Sequence, residues 1–462
     1  MVVLDISIVN VAIPNMQKDL GMSQNALGWV LNAYTLTFAG FLLLGGRAAD
    51  LWGRRRLFLI GVATFSITSL IGGLAQTGGQ LIGARALQGI GGAILAPATL
   101  TILTTTFTEP KARARALGAW SAMAAAGGAT GVLAGGVLTD LLSWRWILFI
   151  NVPIGALVFI VARLVVSEST AEGERPTLDW GGAITVTGGL VSLVYAIVST
   201  VTHPWGSALV LGYLALGIVL LGAFVVIQTR HRHPLVPLRL FKSRSLVGAN
   251  LIMVVVGSVM FSMFFFLSQF MQDVRGYSPL KTGVAFLPMP IAIIIGTQIS
   301  TRLVGKVGPR VLLTIGPLIS SVGMLLLSRL HESSSYLGGV LPASITTFGI
   351  GMAFVPITLA ATNGIGPHDQ GLASGLINTT RQIGGSLGLA VLLTIATTRA
   401  RELVGHGAGA AQAGGYARAF GVSAGLLVIA AVIAALVLPR LRTPRPEPEF
   451  ADTVGSPALA AE

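Results

Sequence analysis

Gly46-Arg47-Ala48-Ala49-Asp50-Leu51-Trp52-Gly53-Arg54-Arg55-Arg56-Leu57 reads as a charged turn, bracketed by glycines and set between two long apolar runs. Three consecutive arginines are costly in hydrocarbon, so the turn belongs in water or in the headgroup layer. The pattern returns 255 residues later. Gly21–Gly61 aligns without a gap on Gly276–Gly316, with Ser23 on Ser278, Gly28 on Gly283, Arg47 on Arg302, Gly53 on Gly308 and Arg55 on Arg310. A second stretch repeats at an offset of 257, where Gly118, Gly127, Gly128 and Gly131 fall on Gly375, Gly384, Gly385 and Gly388. A chain that carries one basic turn at the same place in two halves reads as a duplicated bundle of helices.

Composition agrees. Of 462 residues, 53% are hydrophobic and only 10% charged, against about 25% charged in ordinary soluble domains. Mean hydropathy is +0.80. The apolar residues fall into fourteen runs, at 1–17, 26–46, 57–75, 80–104, 116–139, 146–166, 181–201, 207–228, 246–271, 281–301, 311–328, 337–362, 371–398 and 419–438. Most approach the ~20 residues that cross a bilayer as a helix, and they are too long and too apolar for barrel strands. The fold class expected is therefore all-α and membrane-spanning. Cysteine is absent and the six histidines lack metal-ligand spacing, so neither disulfides nor a metal centre is expected. The net charge of +13 is scattered over short loops, which argues topology and not nucleic acid.

The first run is short: some thirteen mostly apolar residues precede Pro14 and Lys18. It has no basic leader or clear cleavage site, so it does not read as a signal peptide. The expectation is that Met1 lies inside a helix whose natural start is upstream. If the 46–57 turn is cytoplasmic, same-side loops and tail carry twenty Lys and Arg against eight opposite, with Arg85 and Arg381 inside spans. The positive-inside rule then places both termini in the cytoplasm. Four segments are expected: a six-helix half at 1–168, two inserted helices with linkers at 169–244, a second half at 245–440, and a disordered tail at 441–462. Arginine outnumbers lysine 25 to 5 and Ala and Gly abound, as in a GC-rich bacterial genome.

These features resemble the major facilitator superfamily, and within it the fourteen-helix drug:proton antiporters. Gly46, Asp50, Gly53, Arg54 and Arg55 are similar to the superfamily's loop motif between helices two and three. Leu81-Ile82-Gly83-Ala84-Arg85-Ala86-Leu87-Gln88-Gly89 is similar to its helix-four motif, and Leu4-Asp5-Ile6-Ser7-Ile8-Val9-Asn10-Val11-Ala12-Ile13-Pro14 to the helix-one motif of the drug-exporting branch. Gly127, Gly131, Gly135 and Gly136 resemble the antiporter motif of helix five, with Val132 where the family has proline.

Asp5 is the one carboxylate that falls inside a span, where a dry surrounding favours its proton-bearing form until water arrives. The alternative is an acid solvated at the membrane surface near the chain start. Arg85, Gln88, Gly89 and Gly92 share one helix face. The resemblance implies that Arg85 relays protons with Asp5, and snorkelling to the interface is the other reading. Asn10, Gln88, Asn378, Arg381 and Gln382 are candidate cavity-lining residues, with interhelical packing the alternative for the last three. Met260–Phe266 reads as an apolar cavity wall or as packing. The resemblance implies that Asp50, Arg54 and Arg55 latch the cytoplasmic face.

What the family match implies is proton-coupled export of hydrophobic or cationic drugs or metabolites by a monomer in the bacterial cytoplasmic membrane, with protons and a small molecule as partners and no cofactor. An uptake symporter of the same fold is the alternative. A membrane enzyme is remote, since the sequence has no HExxH, HxxxxD or DDxxD motif, and no GxxxxGK[ST] loop points to ATP.

Overall fold

A computed structural model describes residues 1–107, 109–169, 177–366 and 369–439. The expected tail at 441–462 lies outside them, as does Arg175 of the charged linker. Where the fourteen apolar runs lie, the chain forms α1 (Val2–Leu20), α2 (Gln24–Trp52), α3 (Arg54–Gly73), α4 (Gly78–Thr106) and α5 (Pro110–Leu141). There follow α6 (Trp146–Val165), α7 (Trp180–Ser199), α8 (Ala208–Arg230), α9 (Arg244–Val274), α10 (Pro279–Val307), α11 (Pro309–Leu327), α12 (Tyr336–Thr362), α13 (Gln370–Glu402) and α14 (Ala408–Val437). Twelve are long and apolar enough to cross a membrane among the described residues, all but α1 and α5. In hydrocarbon a helix is the only open element that satisfies its own backbone, which is why each run folds this way. Pro14, Pro97, Pro317 and Pro356 sit inside helices, as membrane packing permits.

The arginine turn is tighter than the sequence suggests. α2 stays helical through Asp50 to Trp52, the break is Gly53 alone, and α3 begins at Arg54. Gly53 has φ 101 and its repeat mate Gly308 has φ 81; Gly21 and Gly276 have φ 59 and φ 65. Only glycine adopts these values without strain, which accounts for the repeat at those positions. The matched serines do matched work, since Ser23 Oγ accepts the amide of Ala26 and Ser278 Oγ that of Lys281 at the helix starts.

Glycines set how the helices approach. A Cβ on Gly135 would lie 2.7 Å from the Ile8 carbonyl oxygen, so α5 seats α1 backbone to backbone. Its counterpart is α13 on α9, where a Cβ on Gly384 would lie 2.7 Å from Val254 Cα and one on Gly388 would collide with Ser258. Two further seams join α1–α6 to α9–α14. Gly136 of α5 lies against Pro279 of α10, while α2 meets α13 antiparallel through Gly28 on Leu393, Thr35 hydrogen-bonded to Ser386, and Gly375 on Leu43. Across that second seam lies the α7–α8 hairpin, where Leu190, Val194 and Val198 of α7 cluster with Leu36 of α2 and Ala390 of α13. Asp179 locks the hairpin by capping α7 through the Gly182 amide at 2.7 Å and accepting Gln228 Nε2 from α8 at 2.6 Å. α8 presents Ile218 and Val219, 66% and 65% exposed, as a lipid-facing helix should.

At the end away from the arginine turn the two groups of helices are tied together. Ser268 Oγ donates to the Asn10 carbonyl at 2.6 Å, Gln272 Nε2 to the Val11 carbonyl at 2.7 Å, and Lys18 pairs with Asp273 at 3.4 Å. Gln272 and Asp273 sit on a π-helical turn that ends α9, Phe270–Val274, an irregularity that re-aims side chains there.

Replacing Gly384 by valine forces α13 off α9, at about 1–3 kcal/mol or more. We expect Gly384→Val to lose monodisperse folded protein in detergent size-exclusion. Gly222→Val on α8, where a Cβ meets nothing within 4 Å, should elute as the parent.

Candidate functional site

Asp5 of α1 is fully buried, and four other helices supply what surrounds it. Arg85 Nη1 reaches Asp5 Oδ2 at 2.6 Å from α4. One helical turn on, Gln88 Nε2 donates to Asp5 Oδ1 at 3.0 Å, and Asn151 Nδ2 donates to the same oxygen at 3.0 Å from the turn inside α6. Ser69 Oγ of α3 receives both amides, at 3.2 and 3.0 Å, and passes its own proton to the Leu148 carbonyl at 2.9 Å. Arg85 also donates to Gln88 Oε1 at 2.5 Å and to the Val30 carbonyl at 3.3 Å, and its guanidinium lies 4.3 Å from the centre of the Tyr34 ring on α2. Three donors converge on the carboxyl group. Neither the surface-solvated Asp5 nor the snorkelling Arg85 is what the structure holds: they are 0% and 1% exposed.

Gln88 stands in this network and not on a cavity wall. Asn151, Ser69 and Tyr34 complete it, and sequence reading missed them. The available signal was an amide in the apolar run Ile150-Asn151-Val152-Pro153, since a polar group at membrane depth needs a partner.

The other candidate residues lie elsewhere. Asn10 donates through Nδ2 to the Ile6 carbonyl at 2.9 Å, while its Oδ1 is buried without a partner. On α13, Asn378 is exposed, with a 3.4 Å bond to the Ser374 carbonyl, and Arg381 is part-buried with Nε unpartnered. Gln382 is 1% exposed with neither amide atom bonded. Helical periodicity puts Asn378, Gln382 and Gly385 on the strip between the α2-facing and α9-facing lines of α13. Asn32 of α2 and Gln269 of α9, which sequence reading also missed, are buried amides with no partner for either polar atom. Buried polar groups are normally bonded, so each of these amides is a position where a water or a ligand would complete the bonding. Phe266 of the Met260–Phe266 run stacks on Tyr416 at 5.3 Å, which favours packing for that ring.

At the arginine turn, Arg54 pairs with Asp50 at 3.3 Å, both within the first group of helices. Glu168 does more. Its two oxygens accept the Arg55 and Arg56 amides at 3.0 and 3.1 Å, and the Ser169 carbonyl accepts the Arg54 amide at 2.9 Å. Three cationic side chains at a helix N-terminus oppose its dipole, and an anionic cap from the end of α6 offsets this. A Cβ on Gly53 would lie 2.7 Å from the Glu168 carboxyl carbon, a second reason for glycine there. Of the helix-five glycines, Gly131 and Gly135 touch α1, Gly136 touches α10, and the Gly127 carbonyl accepts Ser7 Oγ of α1 at 3.4 Å. Among the described residues no group of three or more His, Asp or Glu side chains gathers to hold a metal.

Asn151→Leu takes one of three donors from Asp5 and should cost about 1–3 kcal/mol. Glu168→Ala removes the cap of α3 and should cost about 1 kcal/mol. Thermal unfolding of the purified variants in detergent measures both, with Asn151→Leu expected to lower the midpoint more.

The chain matches the model of the Major Facilitator Superfamily over residues 1–389. It is 43% identical to the cephamycin export protein CmcT of Amycolatopsis lactamdurans, across 96% of this chain and 91% of that one. It is 40% identical to the puromycin resistance protein pur8 of Streptomyces alboniger, across 99% and 92%. Among solved structures it is similar to a bacterial homologue of the human lysosomal transporter Spinster in an inward-facing, unoccupied conformation, with TM-score 0.67, 19% identity and coverage of 94% and 93%. The spanning helices and these matches agree: the chain belongs to the major facilitator superfamily, and is a multi-pass membrane transporter, not an enzyme.

Proposed function

We propose that this transporter exports drugs or antibiotic-like metabolites across a bacterial cytoplasmic membrane in exchange for protons, as a monomer. In this reading its halves, 1–168 and 245–440, rock about a central path, and the arginine turn and both termini face the cytoplasm. Two of its relatives are named for cephamycin export and puromycin resistance, which supports drug efflux. The observation that carries the proton coupling is the Asp5–Arg85 pair, an acid and a base held in hydrocarbon with no contact to solvent.

A proton reaching Asp5 cancels its charge and weakens the hold of α4 on α1. Arg85 is not stranded when this happens, because Gln88 Oε1, the Val30 carbonyl and the Tyr34 ring remain to solvate it. α1 also carries Asn10, Val11 and Lys18, the residues that close the far end against α9. Proton binding and closure therefore act on one helix. The Asp50–Arg54 and Glu168 contacts all lie within the first group in this conformation, which leaves the cytoplasmic latch free to engage the second half in the opposite state. One charge crossing 100 mV supplies about 2.3 kcal/mol, enough for a roughly fiftyfold gradient.

Inverted vesicles test this with ethidium, puromycin and a cephalosporin. The parent should accumulate at least one of them under a proton gradient, and Asp5→Asn should fall to the level of empty vesicles. Accumulation that survives collapse of the gradient, or an Asp5→Asn variant that pumps like the parent, overturns the reading. Gradient-driven loss from preloaded inverted vesicles would identify uptake symport instead.

A further inference from the structure

Arg85 and Arg381 both lie well inside membrane-spanning helices, and among the described residues only Arg85 has a counter-charge. Arg85 is matched to Asp5. Arg381 lies eleven residues past the start of α13, part-buried, with no hydrogen bond or ion pair among the described residues. The carboxylates that might serve it are taken: Asp5 by Arg85, Asp50 by Arg54, Asp273 by Lys18 and Asp369 by Arg239. Beside it, Gln382 is 1% exposed with both amide atoms unpaired, and the Thr379 hydroxyl is likewise buried and unpaired. An intramembrane cation without a partner is expensive and marks a place where a partner arrives. The guanidinium fork and an adjacent amide N–H match an oxyanion, and a carboxylate best of all. One turn along α13, Phe261 of α9 lies over Gly385 and supplies an apolar wall.

We propose that Arg381 and Gln382 form an anion-binding subsite of the transport path. It takes the oxyanion of an amphipathic molecule whose apolar body lies against Phe261. This rests on reading the α13 strip as substrate-lining, and it shifts the substrate class from cations toward hydrophobic acids. The oxyanion can come from an exported acid or from the phosphate of an anionic lipid, and both present the same chemistry to Arg381.

The test is binding to the full chain in nanodiscs of phosphatidylcholine, with pyrenebutyrate as the acid and pyrenebutanol as its neutral analogue. The parent should bind pyrenebutyrate above empty nanodiscs. Arg381→Gln should weaken that by about tenfold or more, and leave pyrenebutanol within about twofold. If Arg381→Gln does not fold, Gln382→Leu carries the test, with an expected loss of about threefold for pyrenebutyrate alone. Adding phosphatidylglycerol separates the sources. A parent affinity for pyrenebutyrate that falls with this lipid, while the variant's does not, assigns the site to a headgroup; an unchanged affinity assigns it to a small-molecule acid. No pyrenebutyrate binding by the parent, unchanged binding by the variant tested, or equal loss of both probes overturns the proposal. Binding needs no proton gradient, so a failure of antiport leaves this result standing, and a failure here leaves antiport standing.

Discussion

The Asp5–Arg85 pair sets the terms for the first half of the molecule. A carboxylate and a guanidinium in hydrocarbon need further hydrogen bonds from their surroundings, since desolvation otherwise outweighs the attraction. Here α1 and α4 bring the charges, α3 and α6 bring Ser69 and Asn151, and α2 brings Tyr34 and the Val30 carbonyl. The same requirement ties five helices to one pair, because each supplies a group to the network around it.

Movement requires surfaces that can shift without interlocking. The seams of the molecule are made by glycines, with backbone against backbone at Gly135 on Ile8 and Gly136 on Pro279. Membrane helices gain nothing from hydrophobic exclusion between them, so close van der Waals approach does that work. The α7–α8 hairpin lies across the α2–α13 seam, and its polar lock at Asp179 and Gln228 is internal to the hairpin.

The two ends of the molecule are held by different chemistry. Where α1 meets α9, side chains donate to backbone carbonyls and an exposed Lys18 adds a rim ion pair, which water can replace. At the arginine turn the polar groups bind within one half, with Glu168 capping α3 where three arginines crowd its start.

Some of this was legible in the chain of letters. Apolar run length dictates spanning helices, because lipid offers the backbone no partner. The repeat of Gly53 at Gly308 and of Gly21 at Gly276 marks left-handed breaks that recur for a steric reason, and Asp5 and Arg85 stood out as charges at membrane depth. Local chemistry decides such features, so sequence carries them. Tertiary structure decided which polar groups meet. Gln88 sits on the helix face expected of it, yet that face turns to Asp5 and not to a cavity. Glu168 lies at the last position of the expected first half, and only the return of α6 to the start of α3 makes it a cap. Asn151 and Ser69 are 82 residues apart and bond to one another. Arg381 looks like Arg85 in sequence and differs in its burial and in what stands opposite. Contacts between distant helices depend on rotation and register, which no local pattern encodes.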